Sequence, residues 1–121
     1  RDYYASRGLG DVYKRQEVYR SSFAISVCPS ENVESPTIVG AQAANELLNI
    51  IGIKASFVLT EYNDKIYISS RSIDEINVQI IMEKLGGGGN AATAGAQVPG
   101  KGVDEVNDML LQAIDAYLEE E

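Results

Sequence analysis

Alternation of apolar and polar positions predicts several short strands in this chain. Every second residue is apolar from Ser22 to Val27, and the segments Ala55–Glu61 and Lys65–Ser70 follow the same period of two, which is typical of half-buried strands. The residues Tyr62-Asn63-Asp64 between the last two segments predict a hairpin turn. A further short strand is predicted at Ala94–Val98. The expected core side chains of the hairpin are Phe57, Leu59, Ile66 and Ile68.

A period of three to four residues predicts a helix after the first strand. Its start is indicated by Ser35 as a cap and Pro36 in the first turn, and we expect it to run to about Ile50 and to stop at Gly52. Small residues from Gly40 to Ala44 would allow this helix to pack closely on a sheet. The inward positions are expected to be Ala41, Ala44, Leu47, Leu48 and Ile51.

Two later segments show the same helical period. A short helix precedes a run of glycines, with Asp74 or Asn77 as its cap, and its apolar positions are Val78, Ile81, Met82 and Leu85. A longer helix spans Val103 to Tyr117, and we expect its end to fray because the acidic run Glu119–Glu121 opposes the helix dipole. Together these elements predict an α/β fold, a mixed β-sheet with packed helices.

The four consecutive glycines at positions 86–89 are the most informative feature of the sequence. Because glycine costs backbone entropy on folding, a compact domain keeps such a run where the chain must turn tightly or approach a ligand. Arg71 lies at the end of a predicted strand rich in small hydroxyl residues. Peptide N–H groups and a guanidinium both suit phosphate, so this combination predicts an anion pocket.

Other interpretations of these features stay open at the level of sequence. The glycines could be a helix stop followed by a flexible linker, and Arg71 could form a surface ion pair with Asp74 or Glu75. The glycine run matches neither the Walker phosphate loop nor the dinucleotide-binding fingerprint.

Composition limits the chemistry that this chain can perform. The 121 residues carry a formal net charge of −8, which argues against tight binding of a long nucleic acid but leaves room for a small anionic nucleotide. There is no histidine, so histidine-based metal motifs and catalytic triads are excluded, and we predict neither catalytic residues nor a metal site. Cys28, the single cysteine, cannot form an internal disulfide and is expected to be buried. No apolar run is long enough to span a bilayer.

Residues 1–16 differ in character from the remainder of the chain. They hold four basic and two acidic residues, several tyrosines and no sustained period. We expect a non-native or disordered leader, followed by one domain at residues 17–121. The alternative is a basic arm whose tyrosines stack on single-stranded nucleic acid.

The segments Ala55–Leu59, Ile66–Ser72, Ile76–Gly89 and Ala94–Gln97 closely resemble the C-terminal DHH-associated domain of DHH-superfamily phosphoesterases. The resemblance is strongest to the cyclic-di-AMP phosphodiesterases of GdpP type. It implies a two-part hydrolase of bacterial signalling, in which an upstream DHH domain holds two divalent metals, usually manganese, and cleaves the phosphodiester. The DHH-associated domain would close over that site and hold the nucleotide.

Site residues are carried over by position from this resemblance. Arg71 and Ser72 would touch phosphate, and Gly87, Gly88 and Gly89 would let the backbone approach the substrate. Asn90 stands where the family usually has histidine, so a hydrogen-bonding role remains there but a charged one does not. Asn77 is expected either to bind substrate or to cap its helix.

The resemblance also implies partners and a location. This chain would be inactive alone, with no cofactor of its own and Mn²⁺ in the missing DHH domain. Its partners would be that upstream domain and a cyclic dinucleotide or short oligonucleotide, and a homodimer is among its possible assemblies. It would be a cytoplasmic domain without membrane contact, in a parent protein anchored in the bacterial cell membrane.

Three other functions remain compatible with the sequence. One is a domain of an oligoribonuclease or 3′-phosphoadenosine-phosphate phosphatase of the same superfamily. Another is a non-catalytic nucleotide-binding module. The third is a tRNA-binding accessory domain like the one that ends alanyl-tRNA synthetases, which the acidic charge disfavours.

Overall fold

The structure, a computed structural model, describes residues 15–28, 35–73 and 75–120. These residues form six strands and three helices, which confirms the predicted α/β class. In chain order the elements are β1 (Arg15–Tyr19), β2 (Phe23–Cys28), α1 (Pro36–Leu47), β3 (Ala55–Tyr62), β4 (Lys65–Ser72), α2 (Val78–Glu83), β5 (Gly88–Gly89), β6 (Thr93–Pro99) and α3 (Val103–Glu120).

All six strands belong to one mixed sheet with the order β1-β2-β3-β4-β6-β5. Only β2 and β3 are parallel, because α1 carries the chain back across the sheet between them. The other neighbours are antiparallel. The β3–β4 hairpin turns at Asn63 and Asp64, whose φ angles of 54° and 63° fit a tight turn, as the sequence predicted.

Strand alternation divides the core into one cluster on each face of the sheet. On one face Val58 packs with Ala44 and Leu47 of α1. On the other face Phe57 and Leu59 pack with the apolar sides of α2 and α3. The predicted hairpin core is confirmed, because the side chains that are fully or almost fully buried include Phe57, Leu59, Ile66 and Ile68.

Helix α1 lies close to the sheet because its contact surface is made of small residues. A Cβ atom at Gly40 would lie only 2.6 Å from Ser69 Oγ on β4. Ser35 caps the helix as predicted, since its side chain accepts a hydrogen bond from the Ile38 N–H at 3.5 Å.

The end of α1 differs from the prediction. The helix stops at Leu47, and tight turns follow in which the N–H of Ile50 donates to Leu47 O and the N–H of Ile53 donates to Ile50 O. These turns break the helical period, so Ile50 and Ile53 are buried, whereas Ile51 is 94% exposed. The expectation that Ile51 faces inward is therefore wrong.

Both ends of α2 contact the C-terminal part of α3. The Tyr117 hydroxyl accepts a hydrogen bond from the Asn77 N–H at 2.9 Å, and Lys84 Nζ lies 3.1 Å from a carboxylate oxygen of Glu120. Helix α3 extends to Glu120, so the Lys84 cation lies beside the acidic end at which fraying is expected from the sequence. Asp74, the other candidate cap of α2, lies outside the described residues.

Strand β1 has no counterpart among the predicted elements. It begins at Arg15, so it includes two residues of the segment that was assigned to a leader, and residues 1–14 lie outside the described part of the chain. The turn after β1 uses Arg20 and Ser21 with positive φ, although neither residue type signals such a turn. The strand is held by its pairing with β2 and by the Tyr19 hydroxyl, which donates to Asp115 at 2.9 Å.

Candidate functional site

A cleft of about 570 Å³ opens beside α1, over the part of the sheet that this helix does not cover. Its volume lies within the usual range of small-molecule sites. Tyr67, Ser69 and Arg71 of β4 contribute side chains, and Gln97 contributes one from β6. The glycines at 86–88 form another wall. Arg71 and three residues of the glycine run are thus brought together, as the sequence predicted.

The β4 side chains reach the cleft because of strand alternation. Tyr67, Ser69 and Arg71 are two residues apart, so they share one face of the sheet. Across the β4–β6 ladder Tyr67 faces Gln97, and Ser69 faces Gly95, which has no side chain. Sequence reasoning missed Tyr67, Ser69 and Gln97, although counting back from Arg71 in steps of two would have found the first two.

Arg71 is a half-buried cation without a carboxylate partner among the described residues. Its Nη1 donates to the carbonyl oxygen of Ser70 at 2.7 Å. Glu75, the candidate partner that is described, instead pairs with Lys54 at 3.1 Å. Partial burial lowers the pKa of the Arg71 guanidinium, which still remains charged at neutral pH.

Ser72 points away from Arg71, to the opposite face of the sheet. It is buried, and its hydroxyl lies 2.8 Å from the carbonyl oxygen of Ile76 and 2.9 Å from that of Ala91. It therefore ties two loops together and does not line the cleft. The sequence placed both residues at one phosphate, but neighbouring residues of a strand face opposite sides.

The glycine run is ordered and is not a flexible linker. The N–H groups of Gly86 and Gly87 donate to Glu83 O and Met82 O, which closes the end of α2. Gly88 and Gly89 form β5 and pair with β6. The peptide N–H groups of Gly86 and Gly87 are therefore not free to bind an anion, because they already donate to carbonyl groups at the end of the helix. Strand β5 lies at the edge of the described sheet, so one of its sides pairs with β6 and the other side pairs with no described strand.

Close packing explains why two of the glycines are needed. A Cβ atom at Gly87 would collide with the carbonyl oxygen of Gly95, and Gly89 combines a φ of 146° with contact to the β6 backbone. Gly88 is different, since a Cβ atom there would meet nothing within 4 Å. Gly86, Gly87 and Gly88 line the cleft, whereas Gly89 does not.

Both asparagines of the predicted site shape the backbone. Asn77 Oδ1 accepts from the N–H groups of Gln79 at 3.0 Å and Ile80 at 3.4 Å, so Asn77 caps α2. Asn90 Oδ1 accepts from the N–H groups of Ala92 and Thr93, which closes the β5–β6 turn. Neither side chain lines the cleft, and contact of either with a ligand stays a prediction.

The described residues do not fit a resident metal. Within residues 15–28, 35–73 and 75–120, no three Cys, Asp or Glu side chains come together as metal ligands would, and the sequence has no histidine. None of the helices in this part of the chain has both the length and the apolar character needed to cross a membrane.

Comparison with known proteins places this fold in a family. The family model of the DHHA1 domain matches residues 21–120. The chain is 45% identical over 102 residues to the cyclic-di-AMP phosphodiesterase PdeA of Listeria monocytogenes, covering 84% of this chain and 15% of that protein. It is 39% identical over 104 residues to the cyclic-di-AMP phosphodiesterase GdpP of Bacillus subtilis, with coverage of 84% and 16%.

The solved structures agree on the fold. An exopolyphosphatase-related protein from Bacteroides fragilis superposes with a TM-score of 0.76 over 93% of this chain and 34% of that one, at 22% identity. The chain spans only about a sixth of the length of the two phosphodiesterases that it matches. Because the family model covers most of its length, this chain belongs to the DHHA1 domain family, which includes domains of cyclic-di-AMP phosphodiesterases.

Proposed function

We propose that this domain binds a phosphate of cyclic-di-AMP and holds it for hydrolysis by a metal-bearing DHH domain outside this chain. The observation that carries the proposal is the half-buried Arg71, which lies in a cleft walled by Gly86–Gly88 and has no described carboxylate partner. The choice of nucleotide is supported by two relatives, at 45% and 39% identity, that are cyclic-di-AMP phosphodiesterases.

The electrostatics of Arg71 favour a bound anion. A cation that has lost part of its hydration is destabilised unless an opposite charge replaces the lost water. The planar guanidinium can donate two parallel hydrogen bonds to phosphate oxygens, which gives both attraction and orientation. A ligand phosphate would thus supply the partner that the described side chains do not provide.

The glycine wall favours close approach of the ligand. Gly88 is exposed and has open space where a side chain would lie. A phosphate or sugar can therefore approach the β5 backbone without meeting a Cβ atom. The net charge of −8 would repel a long polyanion, whereas one local cation suffices for a small nucleotide.

The same proposal includes a division of labour between domains. The DHH domain would contribute Mn²⁺ and the chemical step, and this chain would contribute substrate binding and show no activity alone. The chain would be a cytoplasmic part of a membrane-anchored parent. These points rest on the resemblance to the phosphodiesterases, since the chain's own described residues form no metal site.

The proposal is tested by titrating cyclic-di-AMP into the chain with isothermal titration calorimetry. We expect Arg71→Gln to weaken binding by at least about tenfold, because a charge-assisted hydrogen bond contributes roughly 1.5–3 kcal/mol. The matched control is Arg20→Gln, which removes the same charge near β1, at the opposite edge of the sheet. Equal affinity of the two variants would contradict the proposal.

Competing ligands separate the related functions. Tighter binding of short oligoadenylates or 3′-phosphoadenosine phosphate than of cyclic-di-AMP would move the assignment to another branch of the superfamily. A full-length parent that binds cyclic-di-AMP without hydrolysing it would indicate a non-catalytic nucleotide-binding module.

A further inference from the structure

The cleft extends well beyond Arg71 and ends at a second polar group of residues. Tyr67 and Gln97 face each other across β4 and β6 at that end. Arg71 lies four residue positions after Tyr67 in the extended strand, which corresponds to roughly 13 Å between their Cα atoms. A ligand bound at Arg71 can therefore reach Tyr67 only if it is elongated, as a nucleotide is.

The residues along β4 follow the chemical order of a nucleotide. Arg71 offers a cation and Tyr67 an aromatic ring on one face, while Ser69 between them is buried, with its hydroxyl beside Gly40 of α1. Gly95 lies opposite Ser69 and has no side chain, so the middle of the cleft is open between its two ends. A phosphate would thus meet Arg71 at one end, and a base would meet Tyr67 at the other.

Tyr67 is held in place by a second aromatic ring. The ring of Tyr62 makes an edge contact with that of Tyr67, with 6.3 Å between centroids and 64° between planes. An aromatic side chain has few rotatable bonds, and this contact restricts it further before any ligand binds. A base that stacks on Tyr67 would thus meet a ring that already packs against another aromatic side chain.

Lys65 contacts the amide of Gln97, a residue that is exposed. Lys65 Nζ lies 3.4 Å from Gln97 Oε1. Because an ammonium group only donates hydrogen bonds, the amide oxygen must face it, and Nε2 is directed elsewhere. The oxygen keeps a second lone pair, so it can accept from a ligand as well as from Lys65.

A glutamine amide can distinguish the two purines. Its oxygen accepts from the N6 amino group of adenine while its Nε2 donates to N7. Guanine carries the acceptor O6 in place of the amino group, so the amide oxygen would meet another acceptor. The distinction therefore depends on Gln97, whereas stacking on Tyr67 serves both bases.

We propose that Tyr67 and Gln97 form a purine subsite that selects adenine over guanine in the ligand whose phosphate binds Arg71. This subsite rests on the proposed function and deepens it. Tyr67 supplies the stacking surface, and Gln97, whose amide contacts Lys65, reads the edge of the base.

The test is a titration of the chain with cyclic-di-AMP and cyclic-di-GMP. The wild-type chain prefers cyclic-di-AMP by about tenfold, in keeping with one bidentate amide–adenine contact. Gln97→Ala brings the two dissociation constants to within about twofold of each other. Tyr67→Ala weakens both by about tenfold and leaves their ratio unchanged. The matched control, Gln112→Ala on the exposed side of α3, changes neither affinity nor ratio.

The two proposals fail in different ways. If cyclic-di-AMP binds in an Arg71-dependent manner but Gln97→Ala keeps the wild-type preference, the purine subsite is refuted and the phosphate site stands. If neither dinucleotide binds the wild-type chain, the proposed function is refuted and the subsite is refuted with it.

Discussion

Replacing Gly87 with alanine tests the packing that gives the cleft its glycine wall. The added Cβ would collide with the carbonyl oxygen of Gly95 and lie 2.7 Å from the Cα atom of Ala96. Both atoms belong to the backbone of β6, which is paired with β4 on one side and with β5 on the other. A flexible side chain could rotate away from such a collision, but this backbone can move only if the sheet pairing is disturbed.

The expected cost is large for a domain of this size. Overpacking of a rigid site lowers the free energy of unfolding by about 1–3 kcal/mol. We expect a loss near the upper end of this range because the obstructing atoms belong to the backbone. For a domain of roughly 100 residues, about 3 kcal/mol corresponds to a fall of at least ~10 °C in the melting temperature. It is also a considerable fraction of a typical total stability of about 5–15 kcal/mol.

Gly88→Ala is the matched control at the neighbouring position. Its Cβ would meet nothing within 4 Å, so we expect the free energy of unfolding to change by no more than about 1 kcal/mol. Urea unfolding followed by far-ultraviolet circular dichroism measures both variants. A Gly87→Ala variant as stable as the wild type, or equal losses in the two variants, would refute the reasoning.

Three further predictions follow from particular contacts. Asn77→Ala removes the cap of α2 and lowers the free energy of unfolding by about 1 kcal/mol in urea titrations, whereas Asn77→Asp keeps the cap and most of the stability. Ile50→Ala lowers the free energy of unfolding by about 2–5 kcal/mol because Ile50 is buried. Its exposed neighbour tolerates Ile51→Ser with a change of no more than about 0.5 kcal/mol. Similar losses in the two variants would contradict the burial of Ile50. Burial raises the pKa of the Cys28 thiol, so Ellman's reagent labels it at pH 7 only after unfolding, and rapid labelling of the folded chain would contradict this.

Local patterns were sufficient to predict the elements that carry their own signal. The alternation in β3 and β4 and the turn at Asn63 and Asp64 gave a hairpin that the structure confirms. Strands β1 and β5 were not predicted, and for β5 the reason is physical. A pair of glycines has no side-chain pattern, and Gly88 and Gly89 form a strand only because β6 offers them a backbone partner.

The site was predicted in part. Arg71, Gly87 and Gly88 line one cleft, as the resemblance and their chemistry suggested. Ser72 was adjacent in sequence to the right residue but faces the other side of the sheet. Tyr67 and Gln97 were missed because nothing in a single sequence states that β4 and β6 pair with these two residues in register.

The sequence alone determined the class of fold, excluded chemistry that needs histidine, and singled out Arg71 and the glycine run as candidates for binding a phosphate. Each of these depends on residue type or on spacing along one segment. The tertiary structure decided which face of β4 borders the cleft, which glycine amides are already used by α2, and which side chains join Arg71. Such features depend on the register between strands that are distant in the chain, and hydrogen bonds and packing fix that register only when the whole sheet forms.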